Sequence, residues 1–510
     1  MGVENEVKFE VAPRDLQKLA ATRLLRRTDG QLPKHKYLVS TYFDTGKFLL
    51  RKNGVSLRVR QAGKKRVQTI KTVNDDISFS RGEWEHELQS DEPDLRAARG
   101  TALEPLISGK LKRDLKPVFA THVQRTFVPL RPGNSRIEVA LDQGHVRAGQ
   151  NSVSLAEVEL ELKSGTIADL FKTARLVAEL VPAKLALKSK SEHGYDLITE
   201  ESAQAVHASK IMLEHDSSLA TAFQVIGRSV LRHLAANEPA VMAAEPEGVH
   251  QMRVGVRRLR AAISVFSELL HCKQTEQIKR DLKWLAGKLG PVRDLDAFLQ
   301  GKIESFSRAE PPIAGLAELK SEVIYRRDIA AESAKAAVAT ARYRLLIFSI
   351  LEWIEDGIWL KQSRSHGDQK IRPFAAQLFE RRIKKARKRA KKVGALDARK
   401  RHKLRIAMKK LRYAIYFFES LFSDGASAKP LSRYKDCLKS LQDNLGALND
   451  IAVHQKLLPK LAAGSEGPKP QLVAFAAGAI AGRERSEVEP ILNEATKAAR
   501  KLRRAKKFWT

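Results

Sequence analysis

The chain has little cysteine and no long apolar run, and each scarcity excludes something. Two of its 510 residues are cysteine, Cys272 and Cys437. They stand far apart without ligand or redox spacing, so neither a disulfide framework nor a zinc site is indicated. No stretch of about 18 uninterrupted apolar residues occurs, and the start lacks the apolar core of a signal peptide. A soluble, cytoplasmic protein with no membrane partner is expected. No Ser-His-Asp or Cys-His arrangement is visible, so a covalent intermediate has no evident nucleophile. Positive charge, by contrast, is abundant. The formal net charge is +33, with 92 Lys+Arg against 59 Asp+Glu. Residues 1–200 hold 34 and 26 of these, a balance of +8, which leaves 58 and 33, or +25, for residues 201–510. Such a field attracts polyanions, and the length implies two or three domains.

The first 200 residues read as strands with charged faces. In VENEVKFEV the charges Glu4, Glu6, Lys8 and Glu10 alternate with Val3, Val7, Phe9 and Val11, and a strand sends alternate side chains to opposite faces. VSLRVRQ places Arg58 and Arg60 on one face, and VQTIKTV places Lys71 in register with Thr69. EWEHEL carries Glu83, Glu85 and Glu87; SRIEVALD carries Glu138 and Asp142; AEVELEL carries Glu157, Glu159 and Glu161. Any one of these could be a solvated face. Acidic faces on four strands with basic faces on two others sit badly with that reading. If the sheet closes into a barrel the charges line one interior, where like charges need neutralising cations. Divalent metal ions on an acidic wall and a phosphate chain on a basic wall would meet that need, and hard oxygen donors suit Mg²⁺ or Mn²⁺.

ENEVK at 4–8 resembles the ExExK opening of the CYTH superfamily, the triphosphate tunnel metalloenzymes. The resemblance continues through YFDT at 42–45, LRVR at 57–60, TIK at 69–71, RGEWE at 81–85, Arg125, IEVALDQG at 137–144, AEVELEL and KSKSEHGY at 188–195. It implies an eight-stranded antiparallel barrel, a tunnel, that hydrolyses inorganic triphosphate to diphosphate and phosphate with Mg²⁺ or Mn²⁺. By the same resemblance Glu4, Glu6, Asp142, Glu159 and Glu161 would hold metal, with Glu83 and Glu85 as further acidic wall positions. Lys8, Arg58, Arg60, Lys71, Arg125 and Lys190 would grip phosphate oxygens. Glu4, Glu6, Lys8, Glu159 and Glu161 form the catalytic set. KSKSEHGY offers both Lys188 and Lys190 for the last basic position, and Glu157 shares a face with Glu159, so that register can also be taken two residues earlier. An adenylyl cyclase or thiamine triphosphatase of the same family, and a non-enzymatic polyphosphate- or nucleic-acid-binding protein, are the alternatives.

ITEESAQAVHASK at 198–210 reads as a linker, placed at 201–214, and from 215 to 510 the period is helical. HQMRVGVRRLRAAISVF at 250–266 and HKLRIAMKKLRYAIYFF at 402–418 are near copies, offset by 152 residues; LGPVRDLD at 289–296 and LGALNDIA at 445–452 form a second pair. An internal duplication follows. His250, Arg253, Arg257 and Arg260 fall within about an 80° arc of a helix, opposite Met252, Val256, Leu259 and Ile263. His402, Arg405, Lys409 and Arg412 repeat the design. A basic stripe is ordinarily a solvated face; two matched copies favour a shared anion site. Between Arg372 and Arg412 there are 18 Lys+Arg against Glu380 and Asp397, with few interleaved aromatics for stacking on single strands. The H-x-x-R-x-x-x-[RK]-[RK]-L-R motif resembles that of CHAD domains. That resemblance implies an all-α domain of two four-helix repeats binding inorganic polyphosphate through His250, Arg253, Arg257, Arg258, Arg260, His402, Arg405, Lys409, Lys410 and Arg412. The whole reads as a multidomain α+β protein, associated with polyphosphate granules if the second domain binds its polymer, with nucleic acid admitted as a non-specific partner.

Overall fold

The computed structural model describes residues 5–26, 33–72, 82–199, 204–308, 310–362, 367–464 and 469–509, without the side chain of residue 392. Glu4 and part of the 201–214 segment lie outside the described residues. The chain forms two compact units: residues 1–204 with 339–357, and residues 205–338 with 358–510.

The first unit is built on an antiparallel sheet whose strands are β1 (Asn5–Glu10), β2 (Lys34–Thr45), β3 (Val55–Ala62), β4 (Lys65–Thr72), β5 (Glu83–Leu88), β6 (Leu115–Leu130), β7 (Arg136–Ala148), β8 (Asn151–Ser164) and β9 (Lys184–Leu185). They pair in the order β5-β4-β3-β2-β6-β7-β8-β1-β9. This corrects the expected eight-stranded closed barrel. Among the described residues nine strands are present, and β5 and β9 do not pair. β1 is only six residues long and its second edge pairs with β9 alone, at Phe9 and Glu10 opposite Leu185 and Lys184, while among the described residues the outer edge of β5 pairs with no strand.

The alternation read from the sequence sorts the two faces. Val7, Phe9, Leu57, Val59, Val158 and Leu160 are buried on one side, while Glu6, Lys8, Arg58, Arg60, Glu159 and Glu161 face a cavity on the other. Registers such as Lys8 opposite Glu159, and Arg125 opposite Asp142, set opposite charges side by side. Helix α1 (Ile167–Leu180) covers the apolar side of β1 and β8, and α2 (Lys190–Thr199) packs against β6, β7 and β8. The helix Ala341–Asp356 belongs to this unit although its sequence lies deep in the second half. Its Phe348 ring packs 5.6 Å from Phe9 and 6.0 Å from Phe171, measured between centroids, and its Glu352 and Ser349 take Arg175 of α1. The apolar outer face of β1 needs cover, and this helix supplies it.

The second unit is helical: α3 (Leu219–Ala235), α4 (Pro246–Val265), α5 (Lys273–Phe298), α6 (Leu316–Val338), then, beyond α7 (the Ala341–Asp356 helix), α8 (Ile371–Arg389), α9 (Ala398–Phe418), α10 (Ala428–Ala463) and α11 (Pro470–Arg504). α4 packs on α3, α5 and α9; α9 packs on α8 and α10. Residues 152 positions apart meet at the starts of α3 and α8. Ser218 bridges Lys370, with Leu219 N–H donating to Gln369 and Ile371 N–H to Ser217. No helix among the described residues is long and apolar enough to cross a membrane.

Candidate active site and basic groove

The concave side of the sheet encloses about 710 Å³. Its wall draws on strands β1 to β8 and on the 185–191 segment, so side chains far apart in sequence meet there. At its floor Asp142, Glu157 and Glu159 each present a carboxylate oxygen within 4.8 Å of the others. Asp142 and Glu157 are 0% exposed. Three bare carboxylates in such a place would repel strongly, and three cations offset this. Lys8 lies 2.7 Å from Glu157 and 3.2 Å from Glu159. Lys190 reaches Glu157 at 2.6 Å, Glu159 at 2.7 Å and Asp142 at 2.8 Å. Arg125 donates through Nε and Nη2 to the two oxygens of Asp142 at 2.6 and 2.5 Å, and also to Glu159. Against burial, which works the other way, Arg125, Lys190 and Lys8 hold the Glu159 carboxyl well below the usual range.

Glu6 differs. It forms no ion pair among the described residues, and burial followed by the Glu159 charge pushes its carboxyl upward. Across the cavity Lys71 pairs with Glu83 at 2.9 Å and Arg58 lies 3.7 Å from the same carboxylate; Thr69 donates to Glu85 at 3.4 Å. Arg60 has been pushed down to about 10 by Arg58 beside it and by burial. A guanidinium crowded by another in this way favours an arriving anion. Glu161 pairs with Lys163, which also lies 3.9 Å from Glu138.

Sequence reasoning thus named most of the wall: Glu6, Lys8, Arg58, Arg60, Lys71, Glu83, Glu85, Arg125, Glu159, Glu161 and Lys190 all line it, and Asp142 is buried behind Arg125 and Lys190. Within the acidic floor Glu157 stands where Glu161 was expected, the register taken two residues earlier. Lys190 is at the floor, whereas Lys188, also on the cavity lining, pairs with Asp196 at 2.5 Å. Tyr42 was missed. Its hydroxyl meets Arg58 at 3.5 Å inside the cavity, and against burial the Arg58 charge lowers its pKa; it shares a strand face with Ser40 and Asp44, which offered the signal. Asp44 itself is structural, accepting from the N–H groups of Leu50 and Arg51 and from the Tyr195 hydroxyl at 2.7 Å.

In the helical unit the duplicated motifs face one another across α4 and α9. Lys409 is lowered to about 8 by burial and then by Arg405, Arg257, Arg412 and Arg253. Arg405 feels burial and Arg257, partly relieved by Asp450. The second repeated segment explains itself here: Asp294 of LGPVRDLD lies 3.3 Å from Arg253, and Asn449 of LGALNDIA lies 3.4 Å from His402. A Cβ on Gly290 would sit 2.8 Å from the Arg253 guanidinium, so the glycine makes room for it. His250 is held below its usual range by burial and then by Arg293 and Arg257, and Arg412 donates to Gln442 at 3.0 Å. Arg260 is exposed. Two motif positions do not come to the groove. Arg258 is 2% exposed and donates to Tyr416 and His233 at 2.8 and 2.9 Å, over the Tyr416 ring. Lys410 points instead toward α8, beside Arg382, Lys385 and Arg389. In both copies the doubled basic residue at this point follows the helical turn off the groove face.

A sheet wrapped about a cavity walled by carboxylates and cations, with a separate basic helical unit, defines the class. Residues 3–195 match the CYTH domain and residues 226–459 the CHAD domain; the chain belongs to the proteins that join the two. It is 34% identical over 163 residues to an inorganic triphosphatase of Haemophilus influenzae, an alignment covering 31% of this chain and 45% of that one. The chain therefore spans less than half the length of that relative. The CHAD domain of the plant Ricinus communis is 30% identical, covering 57% of this chain and 96% of that one, with a TM-score of 0.49. A solved inorganic triphosphatase is 20% identical over 32% of this chain and 76% of its own, with a TM-score of 0.15.

Proposed function

We propose that the sheet unit hydrolyses inorganic triphosphate to diphosphate and phosphate in a metal-dependent reaction, and that the helical unit binds inorganic polyphosphate. The carrying observation is the mixed wall, with Asp142, Glu157 and Glu159 at its floor beside Lys8, Arg125 and Lys190, and Arg58, Arg60 and Lys71 opposite. The donor set fits a hard divalent cation, Mg²⁺ or Mn²⁺: it is all carboxylate, and Glu157 is ion-paired yet lacks a well-angled hydrogen bond on either oxygen. Glu6, Glu157, Glu159 and Asp142 would hold it, with Glu4 from the segment just before β1. When bound it would supply charge neutralisation and a more acidic water. Arg58, Arg60 and Lys71 would grip the triphosphate oxygens, Arg58 and Arg60 with forked donors, and so orient the terminal phosphoryl group for in-line attack by water. Lys8, Arg125 and Lys190, released in part from their carboxylates by the cation, would turn to the phosphates.

The lining also speaks to the substrate. Its described aromatic members are Tyr42 and Phe127. Tyr42 already stacks on Phe119 at 4.6 Å, and the Phe127 ring lies under Arg125 and Lys36. Neither offers a free face to a nucleobase, which favours tripolyphosphate over ATP. The test is phosphate release from tripolyphosphate, ATP and thiamine triphosphate with Mg²⁺, Mn²⁺ or chelator. Tripolyphosphate should lead, and chelator should abolish release; ATP turned over faster, or release untouched by chelator, would refute the reading.

For the helical unit, the converging cations Arg253, Arg257, Arg405 and Lys409 support a polyphosphate groove. They are half-buried and crowd one another, so a thin flexible polyanion relieves them. The meeting of Ser218 with Lys370 supports two repeats related by a pseudo-two-fold axis.

A further inference from the structure

The duplication makes its two halves comparable position by position, and they differ at one seam. In the first copy α3 meets α4 through His233 and Arg258. His233 Nε2–H donates to Gln251 Oε1 at 3.0 Å and its Nδ1 accepts from Arg258 at 2.9 Å, and it is lowered to about 4 by burial and the Arg258 charge. That seam is closed. The positions 152 residues on are Lys385 and Lys410, where α8 meets α9, and both are exposed. Arg382 and Arg389 flank them and are partly committed, Arg382 to the carbonyls of Lys410 and Ser264 and Arg389 to that of Lys403. Among the described residues, the side chains of Lys385, Lys403 and Lys410 have neither an ion pair nor a hydrogen bond. On α9, Lys403 and Lys410 lie roughly 100–180° around the helix from Arg405, Lys409 and Arg412, so this surface is separate from the groove.

We infer that the α8–α9 seam is a second anion-binding surface, specific to the second repeat, that takes the phosphodiester backbone of duplex nucleic acid without reading its sequence. The exposure of the seam selects the partner. A duplex is thick and stiff and cannot enter a groove of half-buried cations, but it can lie along an open row. From Arg399 to Lys410 that row runs roughly 16 Å at 1.5 Å per residue, enough to follow several phosphates. No aromatic side chain is interleaved to stack on bases, and phosphate contacts alone give affinity without sequence preference.

The full-length protein with Lys385→Ala, Lys403→Ala and Lys410→Ala tests this. The probes are a fluorescent duplex DNA of arbitrary sequence, about 20 base pairs long, and a labelled polyphosphate of about 100 units, each titrated across salt concentrations. Lys429→Ala, Lys439→Ala and Lys456→Ala, exposed residues on α10, remove the same charge elsewhere. The seam variant should lose about tenfold or more in DNA affinity. Its log-affinity against log-salt slope should fall by two to three units, near 0.9 per lost contact, with polyphosphate binding within about twofold. The α10 variant should change neither, and Arg253→Ala with Arg405→Ala should lose polyphosphate and keep DNA. Unchanged DNA binding in a seam variant whose melting temperature is intact overturns the inference, as do parallel losses of both ligands or equal losses in the α10 variant. Because neither readout uses hydrolysis, the outcome is independent of the tunnel assignment.

Discussion

At the residue scale Arg125 ties two carboxylates of the sheet unit together. It satisfies both oxygens of buried Asp142 and contacts Glu159 at once. Against burial, those carboxylates raise its pKa, so it stays charged. Arg125→Ala removes the forked donor from buried Asp142 and leaves Lys190 as its remaining cation, and should destabilise the unit by about 1.5–3 kcal/mol, read by denaturant unfolding. Arg125→Lys should restore part of the stability and little of the hydrolysis, because an ammonium lacks the fork that spans two oxygens. Equal rescue of both would separate Arg125 from the chemistry. Lys409 gives a pH prediction. Its pKa of about 8 in the folded chain lies below the unfolded value, so the folded state binds fewer protons between those values. Stability of the helical unit should therefore rise as pH climbs from about 8 toward 10, while polyphosphate affinity falls over the same range. Lys409→Met should flatten both trends.

At the element scale, α7 carries a consequence out of proportion to its place in the sequence. Phe348 lies against Phe9, the immediate neighbour of Lys8 on β1, and Ala186 N–H donates to the Lys8 carbonyl at 2.9 Å. Truncating Phe348 to Ala opens a cavity behind the strand that aims Lys8 and should cost about 3–5 kcal/mol of sheet-unit stability. A melt unchanged within experimental error would mean that α7 is incidental to this unit. β7 carries a second constraint. A Cβ on Gly144 would sit 1.9 Å from the His122 carbonyl, so Gly144→Ala must part β6 from β7 just below Asp142 and should impair both folding and turnover.

At the scale of the whole molecule, the charge asymmetry becomes specific. Part of the excess of +25 in residues 201–510 gathers in a half-buried groove and part along an open seam. Long-chain polyphosphate should bind with a steep loss of affinity as salt rises, since its counterions are released on binding. Replacing Arg253 and Arg405 together should weaken it more than replacing two lysines of the 384–391 run. Equal losses would reduce the duplicated motif to a generic charged face.

The sequence by itself determined the two-domain plan, the strand alternation, the identity of most wall residues and the duplication, because period and motif are local properties of the chain. Only the tertiary structure decided how carboxylates meet cations. Lys190 reaches the floor and Lys188 does not, because Asp196 holds the latter. Glu157 rather than Glu161 joins Asp142 because pairing register, fixed by opposite Cα atoms on β7 and β8, is set between strands. Arg258 and Lys410, equivalent in sequence, part ways because their neighbouring helices differ, one bringing His233 and the other Lys385. The ninth strand and the helix from the second half that covers β1 likewise depend on long-range burial, which no local pattern encodes.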